Sequence, residues 1–167
     1  MVSVEARDSA ARRVARARTV ARPPDATGRV TISDLLLFDD PKNLPQTLED
    51  ATPRALGSLN LTRTPPVGVY WEMYGVSATG EELAYTLTVS RIGTSWYRRA
   101  AEKLKVLDRR APARMQWQEP SARPGATRSR AIAVDFSTLA EGRYKIDLTL
   151  EAGGQPAATA SRIVTVK

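Results

Sequence analysis

Apolar and polar residues alternate with a period of two along several stretches of this 167-residue chain. Successive side chains of a strand point to opposite sides, so Val67, Val69, Trp71 and Met73 share one face of a predicted strand over 67–74. Leu83, Tyr85, Leu87 and Val89 do the same over 83–90. A short Gly-containing turn over 77–81 separates the two, and the pattern predicts a hairpin. Further strands are expected at 113–118, with Met115 and Trp117 inward, and at 130–136, 144–150 and 161–166. Val30–Ser33 and Leu35–Phe38 read as one strand, or as two joined by a kink at Asp34; their unbroken apolar run predicts burial on both sides. Seven or eight short strands with frequent turn signals, and no strand–helix–strand rhythm, predict an all-β sandwich with at most one short helix. Its core is expected to include Leu36, Val69, Trp71, Leu87, Trp117, Val134, Tyr144, Ile146 and Leu148.

Other stretches lack this alternation. Asp39–Asn43 reads as a turn, and 44–66 as a long irregular connection with a helical turn around Leu48–Leu56. Trp96, Ala100, Leu104 and Leu107 fit a helix within Ser95–Leu107, and an edge strand followed by a turn fits as well. Gly153-Gly154 reads as a hairpin turn. At the N-terminus Val2–Glu5 looks like a strand already under way, so the chain is read as a fragment of a longer one. Beyond it, Arg7–Arg18 alternates Arg with Ala behind Ser9, a helix cap candidate, and Arg22–Gly28 is a loop. The expected organisation is a strand and Arg-rich arm over 1–29 and the sandwich over 30–167.

The chain has no Cys and no His. Disulfides, Cys nucleophiles, His bases, Ser-His-Asp triads and nearly all transition-metal sites are thereby removed. No Ser-x-x-Lys spacing and no Gly-rich phosphate loop occurs. The net charge of +7 comes from 20 Arg and 5 Lys against 18 acidic residues, spread along the chain apart from the N-terminal cluster. No apolar run reaches the ~20 residues that span a bilayer, and no secretory leader is visible.

Leu139-Ala140-Glu141-Gly142-Arg143-Tyr144, followed by alternating apolar residues, resembles the corner before the penultimate strand of bacterial immunoglobulin-like and fibronectin-III-like domains. Trp71 resembles the core tryptophan of an early strand in that fold. The strand order is also similar to the C-terminal, sandwich-like region of bacterial envelope proteins of the GWxTD group, although the Gly-Trp-x-Thr-Asp motif is absent. The resemblance implies an immunoglobulin-like sandwich of about seven strands. It further implies a non-catalytic accessory or protein-interaction module of a larger envelope, periplasmic or secreted bacterial protein. A protein partner or neighbouring domain is then expected, with no cofactor and no metal.

Three surfaces are candidates for contact. Tyr70, Glu72 and Tyr74 share the other face of the 67–74 strand, a surface for a peptide or a sugar, with Glu72 expected to pair with an arginine. Arg12, Arg13, Arg16, Arg18 and Arg22 offer a polyanion contact to nucleic acid or anionic membrane. Asp34, Asp39, Asp40 and Asn43 supply oxygens that calcium would accept, but without EF-hand spacing, and a hydrogen-bonded turn is the expected reading. Glu72, Glu81, Glu82 and Asp135 are the carboxylates a glycosidase would need, with nothing in their spacing to pair them.

Overall fold

The computed structural model describes residues 2–8, 10, 13–19, 30–76, 82–92, 113–120, 127–153 and 157–167, over 2–8 and 13–19 as backbone alone. The chain is an all-β sandwich with one short helix. Its strands are β1 (Val2–Asp8), β2 (Arg13–Thr19), β3 (Thr31–Ile32), β4 (Leu36–Phe38), β5 (Asn60–Leu61), β6 (Val67–Tyr74), β7 (Glu82–Ile92), β8 (Ala113–Pro120), β9 (Arg128–Val134), β10 (Gly142–Ala152) and β11 (Ala158–Val166). The large sheet has five strands in the order β5-β11-β10-β7-β8. In the small sheet β3 and β4 follow one another along one edge of β6, and β9 lines the other edge. All pairings are antiparallel except β5 with β11, which is parallel.

Period-two patterning builds the core directly. Val69, Trp71 and Met73 of β6 face Leu83, Tyr85, Leu87 and Val89 of β7 and Tyr144, Ile146, Leu148 and Leu150 of β10. At their centre the Trp71 ring lies 6.1 Å from both Tyr85 and Trp117, and Tyr85 stacks on Trp117 at 4.9 Å. The Tyr85 hydroxyl donates to the Met73 Sδ at 2.9 Å.

The outer face of the small sheet carries a second, smaller core. Phe38, Tyr70 and Ala51 are buried there, with Leu36 and Ala131 packed against them. Ala51 comes from the helix α1 (Leu48–Ala51), whose cap Thr47 accepts the Asp50 N–H, and which runs on into a 3-10 turn. The run 35–38 is therefore buried on both sides, as its sequence predicts. Leu36, however, belongs to the outer cluster and is half-buried; Leu35 and Leu37 take the inward positions. Gly68 lies opposite Phe38 in the register, and a Cβ there would run into the Phe38 ring.

Three further expectations are corrected. The strands over 67–74 and 83–90 are not a hairpin: β6 belongs to the small sheet and β7 to the large one. Both strands carry a fully apolar face, and those faces cover each other only if the chain crosses between layers. Met115 is 47% exposed rather than inward in the core. It sits opposite Leu87 on the correct face, but β8 is the outermost strand of the wider layer and only its second half, with Trp117, packs on the core. The segment after Val2–Glu5 is not a helix: β1 pairs with β2 in a two-stranded sheet whose register sets Glu5 opposite Arg16 and Asp8 opposite Arg13. Alanines supply too little apolar surface to hold a helix. Ser95–Leu107 lies outside the described residues, as does Gly154 of the β10–β11 connection.

The corner between β9 and β10 matches its motif. Asp135 accepts the Ser137 N–H at 2.8 Å and its hydroxyl at 2.9 Å, which holds the Asp135 carboxyl below the usual carboxylate range. Tyr144 donates its hydroxyl to the Ala140 carbonyl at 2.8 Å. Gly142 has φ of 151°, and the Arg91 guanidinium occupies the space a Cβ would need while donating to the Glu141 carbonyl at 2.6 Å.

Two substitutions test this packing. Gly68→Ala is expected to destabilise the fold by about 1–3 kcal/mol, because the enclosed Phe38 ring must move. Tyr144→Phe should cost about 0.5–1.5 kcal/mol through the lost hydroxyl bond. Urea unfolding reads both; an unchanged midpoint in Gly68→Ala would show that the Phe38 ring is not pinned.

Candidate interaction site

The Tyr70–Glu72–Tyr74 face is a closed hydrogen-bonded cluster rather than an open aromatic platform. Tyr70 is 1% exposed, enclosed by the outer cluster, and only Glu72 and Tyr74 reach solvent. The Tyr70 hydroxyl lies 3.1 Å from Glu72 Oε1 and 2.9 Å from Ser129 Oγ, and the Tyr74 hydroxyl donates to Glu72 Oε2 at 2.5 Å. Tyrosine hydroxyls thus contact the Glu72 carboxylate where an arginine was expected. Burial first, then the Glu72 carboxylate, pushes Tyr74 up to about 12. Tyr70 is raised by the same burial and carboxylate, with Ser129 opposing. Tyr85, deep in the core, is also pushed up to about 12 by burial.

The acidic turn already holds a cation. Arg54 sends its guanidinium into the loop, donating to the carbonyls of Asn43 at 2.7 Å, Asp39 at 2.9 Å and Asp40. The same group stacks 4.9 Å over Phe38. Among the described residues no group of three carboxylates gathers to hold a metal. The other carboxylates stand apart. Glu72 is on the outer face of the small sheet, and Glu82 lines a shallow depression on the outer face of the large one, beside Glu151. Asp135 is at the β9–β10 corner, and Glu81 lies outside the described residues.

Of the arginine cluster, Arg13, Arg16 and Arg18 lie on β2, while Arg12 and Arg22 lie outside the described residues.

What sequence reasoning did not single out is the difference among the sheet edges. An open edge presents unpaired N–H and C=O groups to any extended chain, and native sheets guard it by short strands, cover or inward-pointing charges. The outer edge of β4 is covered by its own chain: Leu56 N–H donates to Leu37 C=O at 2.8 Å, and Asp39 N–H to Arg54 C=O at 3.0 Å. β11 is capped at one end by β5, and the register sets Arg162 at an inward position opposite Ile146. β9 carries Arg128 and Arg130 at inward positions opposite Met73 and Trp71. Arg130 reaches across to Glu119 of β8 at 2.6 Å, and Trp117 Nε1 donates to the same carboxylate at 3.1 Å. β8 is different. It is eight residues long, pairs with β7 alone among the described residues, and has Met115 and Trp117 at its central inward positions. The period-two pattern marks these two residues but not that their strand ends the sheet.

No family model matches the sequence, and no curated protein matches it. No helix among the described residues is long and apolar enough to cross a membrane.

The raised tyrosines set an alkaline limit. Folding favours their protonated form, so the stability they contribute is complete below the ordinary value of 10 and is lost as the pH climbs from about 10 to about 12. Absorbance titration at the tyrosinate band should show Tyr74 ionising late in the native protein. Glu72→Gln should bring that step to lower pH; a step that stays in place would remove the carboxylate as a cause.

Proposed function

We propose that this chain is a non-catalytic interaction module, an immunoglobulin-like sandwich within a larger bacterial envelope or secreted protein. Its mechanism is β-strand addition, in which an extended segment of a protein partner pairs with the outer edge of β8. The eight-residue strand β8, paired with β7 alone among the described residues and carrying Met115 and Trp117 at inward positions, is the observation that carries this reading. Backbone ladders supply affinity in such contacts, and alternate side chains supply selectivity; Met115 and the half-buried Trp117 are the apolar positions available for it.

The immunoglobulin-like assignment is supported by the strand order. The layer β3/β4-β6-β9 faces the layer β5-β11-β10-β7-β8, the chain changes sheet on either side of β5, between β6 and β7, between β8 and β9 and between β9 and β10, and β5 runs parallel to β11. The Tyr144 hydroxyl bond to the Ala140 carbonyl adds the corner typical of such sandwiches. A non-catalytic role is supported by the lack of Cys and His. The carbohydrate reading loses its platform with Tyr70 enclosed. The polyanion reading rests on the arginines of the N-terminal segment.

Peptide display against the immobilised protein tests the proposal. Enriched sequences should be extended and alternating, should lose binding when Met115 is replaced by Lys, and should bind equally at low and high salt. Binding that falls steeply with salt and survives Met115→Lys would favour phosphate-type contact through the arginines instead.

A further inference from the structure

The loop after β4 brings a strained residue, a labile bond and a fixed cation to one place. Asp40–Pro41 is the single Asp–Pro bond of the sequence. Asp40 holds φ of 47°, in the left-handed region that is disfavoured for a residue with a Cβ. The carbonyl of that bond, Asp40 C=O, accepts from Arg54 Nη2. Other contacts fix the guanidinium there. It stacks 4.9 Å over Phe38, Nη1 donates to the Asn43 carbonyl at 2.7 Å, and Nη2 also donates to the Asp39 carbonyl at 2.9 Å. Strained backbone persists where its surroundings over-determine it, and such positions cluster at functional sites.

From this geometry we infer that the loop is a self-cleavage site, at which Asp40 cuts the chain on its own C-terminal side and Arg54 stabilises the reacting carbonyl. An aspartate carboxyl reaches its own carbonyl carbon by closing a five-membered ring, an intramolecular attack of high effective concentration. In the first step an Asp40 carboxyl oxygen bonds to the Asp40 carbonyl carbon. The C–N bond to Pro41 breaks, and the carboxyl proton passes to the Pro41 nitrogen. This leaves a cyclic anhydride on Asp40 and a free prolyl amine. In the second step water opens the anhydride to the two carboxyl groups of a C-terminal aspartate; Asp40 is exposed, so water reaches it. Proline contributes a tertiary amide nitrogen without N–H, which takes up a proton more readily than a secondary amide. The carbonyl oxygen gains negative charge during the attack, and a guanidinium already seated on it needs no reorganisation to stabilise that charge. The cut falls between β4 and α1 without unmaking the fold. Residues 1–40 stay attached through the ladders of β3 and β4 with β6 and through buried Leu35, Leu37 and Phe38. The product is a nicked sandwich.

Incubation of the whole chain in mildly acidic buffer, read by mass spectrometry, should yield residues 1–40 and 41–167. The two pieces should separate in denaturant and travel together in native chromatography. An Asp–Pro bond is acid-labile in any sequence, so the deciding comparison is with the same chain unfolded in urea at the same pH. The folded chain should cut at least about tenfold faster, within what a single preorganised donor to the reacting oxygen supplies. Arg54→Gln should remove that advantage and leave the rate in urea unchanged. Asp40→Gly keeps the left-handed backbone without the carboxyl and should abolish the cut. Circular dichroism checks that each variant is folded. A folded chain that cuts no faster than the unfolded one overturns the inference, whether or not Arg54→Gln folds. So does a folded Arg54→Gln that cuts as fast as the unmodified chain, or a cut that survives Asp40→Gly.

Discussion

The fold turns on the Trp71 ring. It meets aromatic rings from two different strands of the large sheet, Tyr85 of β7 and Trp117 of β8. Large rings dominate core energetics through the area they bury, and truncating one to alanine costs about 3–5 kcal/mol. The indole N–H of Trp71 is buried with no acceptor among the described residues, so the ring contributes packing rather than hydrogen bonding. Once Trp71 is seated between Tyr85 and Trp117, the two layers are fixed in register. Arg130 and Glu119 then tie β9 to β8 across the rim.

Unequal layer width follows from this arrangement and creates the candidate site. A five-stranded sheet lies over a layer in which β6 has β3 and β4, one after the other, along one edge and β9 along the other. The outer strand β8 packs through its second half and overhangs through its first. Met115 is exposed for that reason, although its face is the core face. The same inward position is harmless on β9 and β11, where the side chains are arginines whose charge resists enclosure by a pairing chain.

The outer face of the small sheet takes the opposite course. Instead of a solvated surface, it has its own cover, built by Phe38 over Gly68, by Ala51 of α1 and by the Arg54 guanidinium on the Phe38 ring. One arginine performs two tasks there, since its N–H groups also close the 39–43 loop. Burying Tyr70 under this cover requires a partner for its hydroxyl. Glu72 and Ser129 supply it, which leaves the face hydrogen-bonded within itself.

The sequence by itself determined the main core strands, their inward faces and the β9–β10 corner, but not β2 or the two-residue β5. These depend on period-two alternation and on local turn chemistry, and both are written in consecutive residues. Val69, Trp71, Leu87, Val134, Tyr144, Ile146 and Leu148 are buried where the pattern predicts. The broken strand at 31–38 and the short helix near Leu48 were legible for the same reason. Only the tertiary structure decided which strands share a sheet. An alternating strand looks the same whether its neighbour in sequence pairs beside it or packs across from it, and so β6 and β7 read as a hairpin although they face each other. Only the tertiary structure decided that Tyr70 is enclosed, because its cover comes from residues 36, 38, 51 and 131. The place of β8 beside β7 alone among the described residues is likewise a fact about what lies next to a strand, and no residue within the strand records it.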